Sequence, residues 1–266
     1  MKKAKIWFGI LASLFLMAGC SGQEKKSETK TEVNGTEEIT LYLTRHGKTM
    51  MNTMDLSQGW VDSPLTPQGI EVAEKLGKGL KKADVTFDKV YSSDSGRARE
   101  TASLILKNNG QKDVAVKEDQ RFREANFGSY EAKPNQEMAE AAIKQSGLSP
   151  EEFMGNDVFT AISNLSDALY EIDQQKDDSE MGWPAENSKQ VVDRLVEGTD
   201  EIIKNAKKDD DQNILIVFHG NSIIKLLHEL DPEAKITSID NAGVSKVVYK
   251  NGKFKVDSVN DTSFIE

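Results

Sequence analysis

The sequence predicts an α/β protein, a three-layer α/β/α sandwich whose central sheet is mostly parallel and which carries a helical insertion. Three observations lead there. Short β-branched runs alternate with longer stretches of helical spacing along most of the chain, the pattern of strand–helix–strand units. The runs "EITLYLTRH" (38–46) and "NILIVFHG" (213–220) are almost continuously apolar, as strands covered on both faces must be. The stretch "VSKVVYKNGKFKVDSV" (244–259) instead alternates around Asn251–Gly252, a two-residue turn signal that adds an antiparallel edge.

The first 19 residues stand outside this pattern. Lys2, Lys3 and Lys5 precede an uncharged stretch from Ile6 to Leu16, which is too short for an ordinary membrane-spanning helix and reads as a secretory signal peptide. The segment Leu16-Met17-Ala18-Gly19-Cys20 resembles the lipobox of bacterial lipoproteins, which implies a thioether-linked diacylglycerol on Cys20 and cleavage before it. Cys20 is the single cysteine of the chain, and lipidation accounts for its position and its solitude together. Two acyl chains on one residue give stable anchoring, so the expected location is extracytoplasmic, on the bacterial cell membrane. Residues 21–38, polar and charged, cannot bury enough surface to fold and read as a flexible tether.

The remaining 39–266 suffice for one domain with a substantial core. After the first strand, "TPQGIEVAEKLGKGLKK" (66–82) has a Thr66 cap, Pro67 at the first helical position, and Ile70, Ala73, Leu76 and Leu80 on one side. A strand follows in "FDKVYSS" (87–93), a helix in "SGRARETASLILKNN" (95–109) and a strand in "DVAVKED" (113–119). Residues 131–182 are acidic and contain helical pieces such as "NQEMAEAAIKQSG" and "DVFTAISNLSDALYEID". They read as a helical insertion over the sheet edge, equally suited to a substrate-selecting cap or to a structural helix pair. "SKQVVDRLVEGTDEIIKNAKK" (188–208) is a further amphipathic helix.

The whole chain has 34 Lys+Arg against 44 Asp+Glu; loss of the three signal lysines makes this 31 − 44 = −13. A general basic surface for nucleic acid is excluded by that balance. An acidic protein that binds an anion has to concentrate its positive charge in one place, and Arg45, His46 and His219 fall together at the carboxyl ends of predicted strands, where open α/β sheets bind ligands. No zinc spacing, Walker loop, dinucleotide fingerprint or calcium loop is present, so no metal and no cofactor is expected.

Five ordered blocks carry a resemblance: "TRHGKTMMN", "QGWVDSPLTPQG" (58–69), "SSDSGRARETA" (92–102), "REANFGSYEA" (123–132) and "FHGNS" (218–222). They are similar to those of the histidine phosphatase superfamily, which includes cofactor-dependent phosphoglycerate mutase and fructose-2,6-bisphosphatase. The resemblance implies His46 as the nucleophile and Glu124 as the proton donor. Chemistry agrees for the histidine, since an imidazole attacks phosphorus only when neutral, with one ring nitrogen free and the other held by a hydrogen bond. Gly47 is expected to let the chain turn and a phosphoryl group approach. Phosphoryl transfer needs charge neutralisation above all, which assigns Arg45, Arg97 and His219 to the phosphate pocket. Arg97, opening a helix, is expected to be joined by that helix's free N–H groups.

Asn52, Gly220 and Asn221 are expected to bind substrate. Glu124, beside Phe127, donates its proton to the leaving alkoxide if burial or neighbouring acids favour its neutral form. Arg99, Arg121 and Arg123 read as ion-pair formers and His228 as a structural residue. The stretch "WPAENSKQVVDR" keeps the family's Glu and Arg eight apart at Glu186 and Arg194, but Ala185 and Asn187 replace its Gly and Ser, which leaves its part in the pocket open. Three activities fit: phosphomonoester hydrolysis through a phosphohistidine on a small phosphorylated substrate, phosphoglycerate-mutase-type transfer, or phospholigand binding without turnover. An extracytoplasmic location favours the first, since a mutase works where glycolytic intermediates are abundant.

Overall fold

The computed structural model describes residues 38–176 and 182–266. The signal peptide, Cys20 and the tether up to residue 37 lie outside the described residues, and Glu38 already belongs to the first strand. In chain order the elements are β1 (Glu38–Arg45), α1 (Met50–Thr53), α2 (Pro67–Lys82), β2 (Lys89–Ser92), α3 (Gly96–Asn109), β3 (Val116–Glu118), α4 (Asn135–Ser146), α5 (Pro150–Met154), α6 (Val158–Gln174), α7 (Ser188–Asp209), β4 (Asn213–Phe218), α8 (Gly220–Leu230), β5 (Val244–Lys250) and β6 (Lys253–Asp261). No helix among the described residues is long and apolar enough to cross a membrane.

The strands form one sheet in the order β3-β2-β4-β1-β5-β6. Pairing is parallel from β3 through β2 and β4 to β1, and antiparallel from β1 through β5 to β6. The period of two in the central strands sorts side chains between two cores. Ile39, Leu41, Leu43, Ile214, Ile216 and Phe218 meet residues of α4, α6, α7 and α8 on one face. Tyr42, Leu215 and Val217 meet residues of α2 and α3 on the other. That is the expected sandwich. The expected strand over 113–119 shrinks to Val116–Glu118, a half-exposed edge with one neighbour, β2.

Local signals explain most boundaries. Thr66 caps α2 by accepting from the Gly69 amide, with Pro67 at the first turn. Asn251 and Gly252, with φ of 52° and 79°, make the β5–β6 turn, where both central residues must take positive φ. The insertion is three helices, and it is built into the domain: Met138, Ala142, Phe153, Ile162 and Leu169 are buried in the same core as β1 and α8.

Parallel pairing of β1 with β4 sets Arg45 opposite Phe218, and the His46 amide continues the ladder by donating to the Phe218 carbonyl at 3.0 Å. The β2 end joins them, since the Ser93 amide donates to the Val217 carbonyl at 3.0 Å. The carboxyl ends of these three strands therefore open on one place.

Candidate active site

At that place the imidazoles of His46 and His219 lie 5.2 Å apart, ring centre to ring centre, at 63°. His46 is 4 % exposed and His219 fully buried. His46 Nδ1 is 2.8 Å from the Gly47 carbonyl, which only accepts, so Nδ1 carries the proton and Nε2 keeps a lone pair. Burial, then the Arg97 and Arg45 cations, hold His46 well below its ordinary pKa, outweighing the Gly47 carbonyl. His219 is held down in the same way, by burial first and then by Arg97, His46, Arg194 and Arg45. Its Nδ1 lies 3.1 Å from an Arg97 guanidinium nitrogen, which only donates, so in the neutral ring Nε2 carries the hydrogen. That buried Nε2 has no hydrogen-bond partner among the described residues.

Gly47 is needed for a reason besides the expected one. Its φ is not positive; a Cβ there would run into the Gly69 carbonyl at the start of α2, while its own amide donates to Thr101 Oγ1 at 3.0 Å. The glycine lets the segment after β1 lie against two helices, which fixes the carbonyl that orients His46.

Arg45 donates to the Ile239 carbonyl at 2.8 Å, and its buried Nε has no partner among the described residues. Arg97, 1 % exposed at the first turn of α3, donates to the carbonyls of Gly59 (2.7 Å) and Val61 (2.9 Å) and to Asp62 (2.9 Å), besides approaching His219. Burial lowers both guanidinium pKa values, opposed by Glu124 and other nearby carboxylates, yet groups that start so high stay charged. One of the N–H groups expected to be free at the α3 N-terminus is already taken, since Asp62 accepts from the Gly96 amide at 2.6 Å.

Glu124, 6 % exposed, sits on the N-terminus of another helix. Its Oε1 accepts from the amides of Ala125 (3.0 Å) and Ser222 (3.0 Å) and the Ser222 hydroxyl (2.9 Å), and Oε2 from the Asn221 amide (3.1 Å). Four N–H and O–H donors thus hold its oxygens, and Phe127 lines the same chamber. Arg45, His46, Asn52, Glu124, Gly220 and Asn221 line one chamber of about 270 Å³. Glu124 and His219 also face a larger cleft of about 720 Å³. Asn52 spends its side-chain oxygen on the Thr49 amide in the α1 capping box, leaving its amide group toward the chamber it lines. Arg45 lies against Gly220 at the start of α8, where a Cβ would stand 3.4 Å from Arg45 Nε, an ordinary contact.

Of the groups that hold this arrangement, sequence reasoning left the part of Glu186 and Arg194 open and missed Glu131. Arg194 donates to the carbonyls of Arg121 and Arg123 (2.7 Å each) and Glu124 (2.9 Å), and pairs with both oxygens of Glu186 at 2.8 Å. Glu186 also accepts from the Asn126 amide at 3.0 Å. The Glu–Arg block therefore stays out of the pocket and grips the backbone that carries Glu124. The Ala185 backbone amide donates to Asp173 at 2.9 Å and its methyl is buried in the core, and the Asn187 side chain caps α7. Glu131 accepts from the amides of Gly59, Trp60, Val61 and Phe127, tying the loop before α2 to the Glu124 loop. The arginines expected to form ion pairs do: Arg99 with Glu118, Arg121 with Asp119, and Arg123 with Asp94. His228 stacks on Phe159.

The profile of the histidine phosphatase superfamily (branch 1) matches residues 41–152 and 148–262. The chain belongs to the histidine phosphatase superfamily. Within it, the chain is 31 % identical over 220 residues to a 2,3-bisphosphoglycerate-dependent phosphoglycerate mutase of Hamiltonella defensa, covering 79 % of this chain and 85 % of that one. It is 29 % identical over 195 residues to the broad-specificity phosphatase YOR283W of Saccharomyces cerevisiae, covering 73 % and 71 %. Among solved structures it is similar to a phosphoglycerate mutase from Bacillus anthracis, with 39 % identity, a TM-score of 0.78, and coverage of 86 % of this chain and 96 % of that one. Phosphatases and mutases thus both stand among this enzyme's relatives.

Proposed function

We propose that this member of the superfamily is a phosphomonoester hydrolase working through a phosphohistidine on His46, with Glu124 as the acid and base. The observation that carries the reading is the His46 ring: buried, neutral, its Nδ1 proton held by Gly47 and its Nε2 lone pair free beside two guanidinium groups. In the first step Nε2 bonds to phosphorus as the ester P–O bond breaks, and the departing alkoxide takes a proton from Glu124. In the second, Glu124 removes a proton from water, the water oxygen bonds to phosphorus and the P–N bond breaks, returning neutral His46 and phosphate. Arg45, Arg97 and the His219 Nε2–H neutralise or bind the non-bridging oxygens, and no metal is required for that task. Asn52, Gly220 and the Asn221 side chain complete the substrate contacts.

The reading includes an extracytoplasmic enzyme anchored through a diacylated Cys20, supported by the lipobox-like segment and the polar stretch after it. Incubation of the purified chain with an aryl phosphate is expected to release phosphate, and His46→Ala to abolish release while the fold survives. Equal release by both proteins rules out His46 as nucleophile. The mutase reading has its own support in the 39 % identity to the Bacillus anthracis mutase. Supplying 3-phosphoglycerate with 2,3-bisphosphoglycerate separates the two: free phosphate without the 2-phospho isomer is expected, and isomer interconversion favours the mutase.

A further inference from the structure

A cleft of about 720 Å³ lies beside the phosphoryl chamber, with Glu124 lining both. Two tryptophans line it. The Trp60 indole N–H donates to the Glu124 carbonyl at 3.1 Å, which fixes this ring beside the proton donor. Trp183 is 71 % exposed, the most exposed large hydrophobic side chain among the described residues. A large apolar ring left in water at a cleft wall gains free energy when another ring covers it.

Charge in the same cleft is unfavourable to anions. Asp62, Asp94 and Glu131 line it against Arg99 and Arg123, and Glu124 is neutral while it serves as the acid, a balance of 2 − 3 = −1. Neither arginine is free. Arg123 forms a two-point pair with Asp94 at 2.8 and 2.5 Å and lies over the Trp60 ring, 4.6 Å from its centre. Arg99 pairs with Glu118 at 3.3 Å. A second anionic group on the substrate would have to break one of these pairs or face carboxylates directly.

We infer that the preferred substrate is a phosphate monoester whose alcohol carries a ring able to stack on indole and no second anionic group. The inference rests on the hydrolase reading of the His46 chamber and narrows it. Aromatic rings and the C–H faces of sugar rings share this chemistry. Phosphocarboxylates such as phosphoglycerates and bisphosphates are disfavoured.

The test compares kcat/KM of the full chain for benzyl phosphate, glucose 6-phosphate, propyl phosphate and 3-phosphoglycerate, all esters of alcohols with similar leaving tendency. At least one ring ester is expected to exceed propyl phosphate by about three- to tenfold, the range of a ring-on-ring contact, and 3-phosphoglycerate to fall below it. Which ring ester leads identifies the ring as aromatic or sugar. Trp183→Ala should bring the ratio of ring ester to propyl phosphate toward one, and Trp183→Phe should keep most of it. Asp94→Asn, by releasing Arg123, should raise 3-phosphoglycerate several-fold relative to propyl phosphate. Phosphate release with no preference among the four, or with 3-phosphoglycerate leading, overturns this inference and leaves the hydrolase reading standing. Release from none of the four, in wild type as in His46→Ala, overturns both.

Discussion

Replacing Arg194 by Met tests whether the Glu124 loop depends on a residue that does not line the phosphoryl chamber. The guanidinium, with its side chain 16 % exposed, satisfies three successive-loop carbonyls and both oxygens of Glu186. Methionine fills similar volume and makes none of these bonds. Hydrogen bonds to a charged group contribute about 1.5–3 kcal/mol each, and several on one side chain do not add. Breaking a buried pair by removing one partner costs about 3–5 kcal/mol; partial exposure and entry of water place Arg194→Met near the lower end, about 3 kcal/mol. For a domain of this size that lowers Tm by roughly 6–12 °C. The carbonyl of Glu124 is one of the three released, so its carboxylate is expected to shift, and a displacement of about 1 Å costs up to a hundredfold in rate. The loss should fall on kcat more than on KM, because Arg45 and Arg97 are not held by Arg194. Arg194→Lys should recover little, since one ammonium cannot span three carbonyls and a carboxylate. Urea denaturation together with steady-state kinetics on an aryl phosphate reads both effects. A loss below about 1 kcal/mol with kcat within a factor of two of wild type refutes the reasoning.

Acid should destabilise the protein through its buried histidines. Their folded pKa values lie well below 6.5, so between those values and 6.5 the unfolded chain binds more protons and stability falls as pH falls, by about 1.4 kcal/mol per pH unit for each fully differing histidine. Urea midpoints across pH 5 to 7.5 should show a shallower slope in a folded His46→Ala variant, and an identical slope contradicts the neutral buried ring. Lys225 is fully buried with its pKa pushed down to about 8, chiefly by burial, and donates to Ser188 Oγ at 2.7 Å. Since the unfolded amine titrates near 10.4, wild-type stability should gain from pH 8 toward pH 10 relative to Lys225→Met. At pH 7 the methionine variant should match or exceed wild type, and a loss of more than about 2 kcal/mol there contradicts the cost assigned to that buried charge.

Much of the fold was legible because its signals are local. The unbroken apolar runs of β1 and β4 mark buried parallel strands, Asn251–Gly252 marks the hairpin, and Thr66–Pro67 marks the start of α2. The edge strand β3 was read too long, since a β-branched run cannot reveal that only three of its residues find a partner. Arg45, His46 and His219 were legible from residue type and position at strand ends, and Glu124 only through the family resemblance. The groups holding the pocket were less so. Glu131 reaches amides 70 to 72 residues away in the Gly59–Val61 loop, and Arg194 reaches carbonyls 70 to 73 residues before it. Glu131 has no local mark of such a role, and the spacing of eight between Glu186 and Arg194 marked the pair without showing which carbonyls Arg194 grips. The Asp62 that occupies the α3 N-terminus was hidden for the same reason, lying 34 residues from Gly96.

The central claim is that the neutral imidazole at position 46 bonds to phosphorus. Rapid denaturing quench of the enzyme during turnover of a phosphorus-labelled ester, followed by peptide mapping, tests it most directly. Acid-labile, alkali-stable label on the peptide containing His46, absent from His46→Ala and chased away by water in wild type, is the expected result. Turnover with no label on that peptide, or label retained in the alanine variant, contradicts the account.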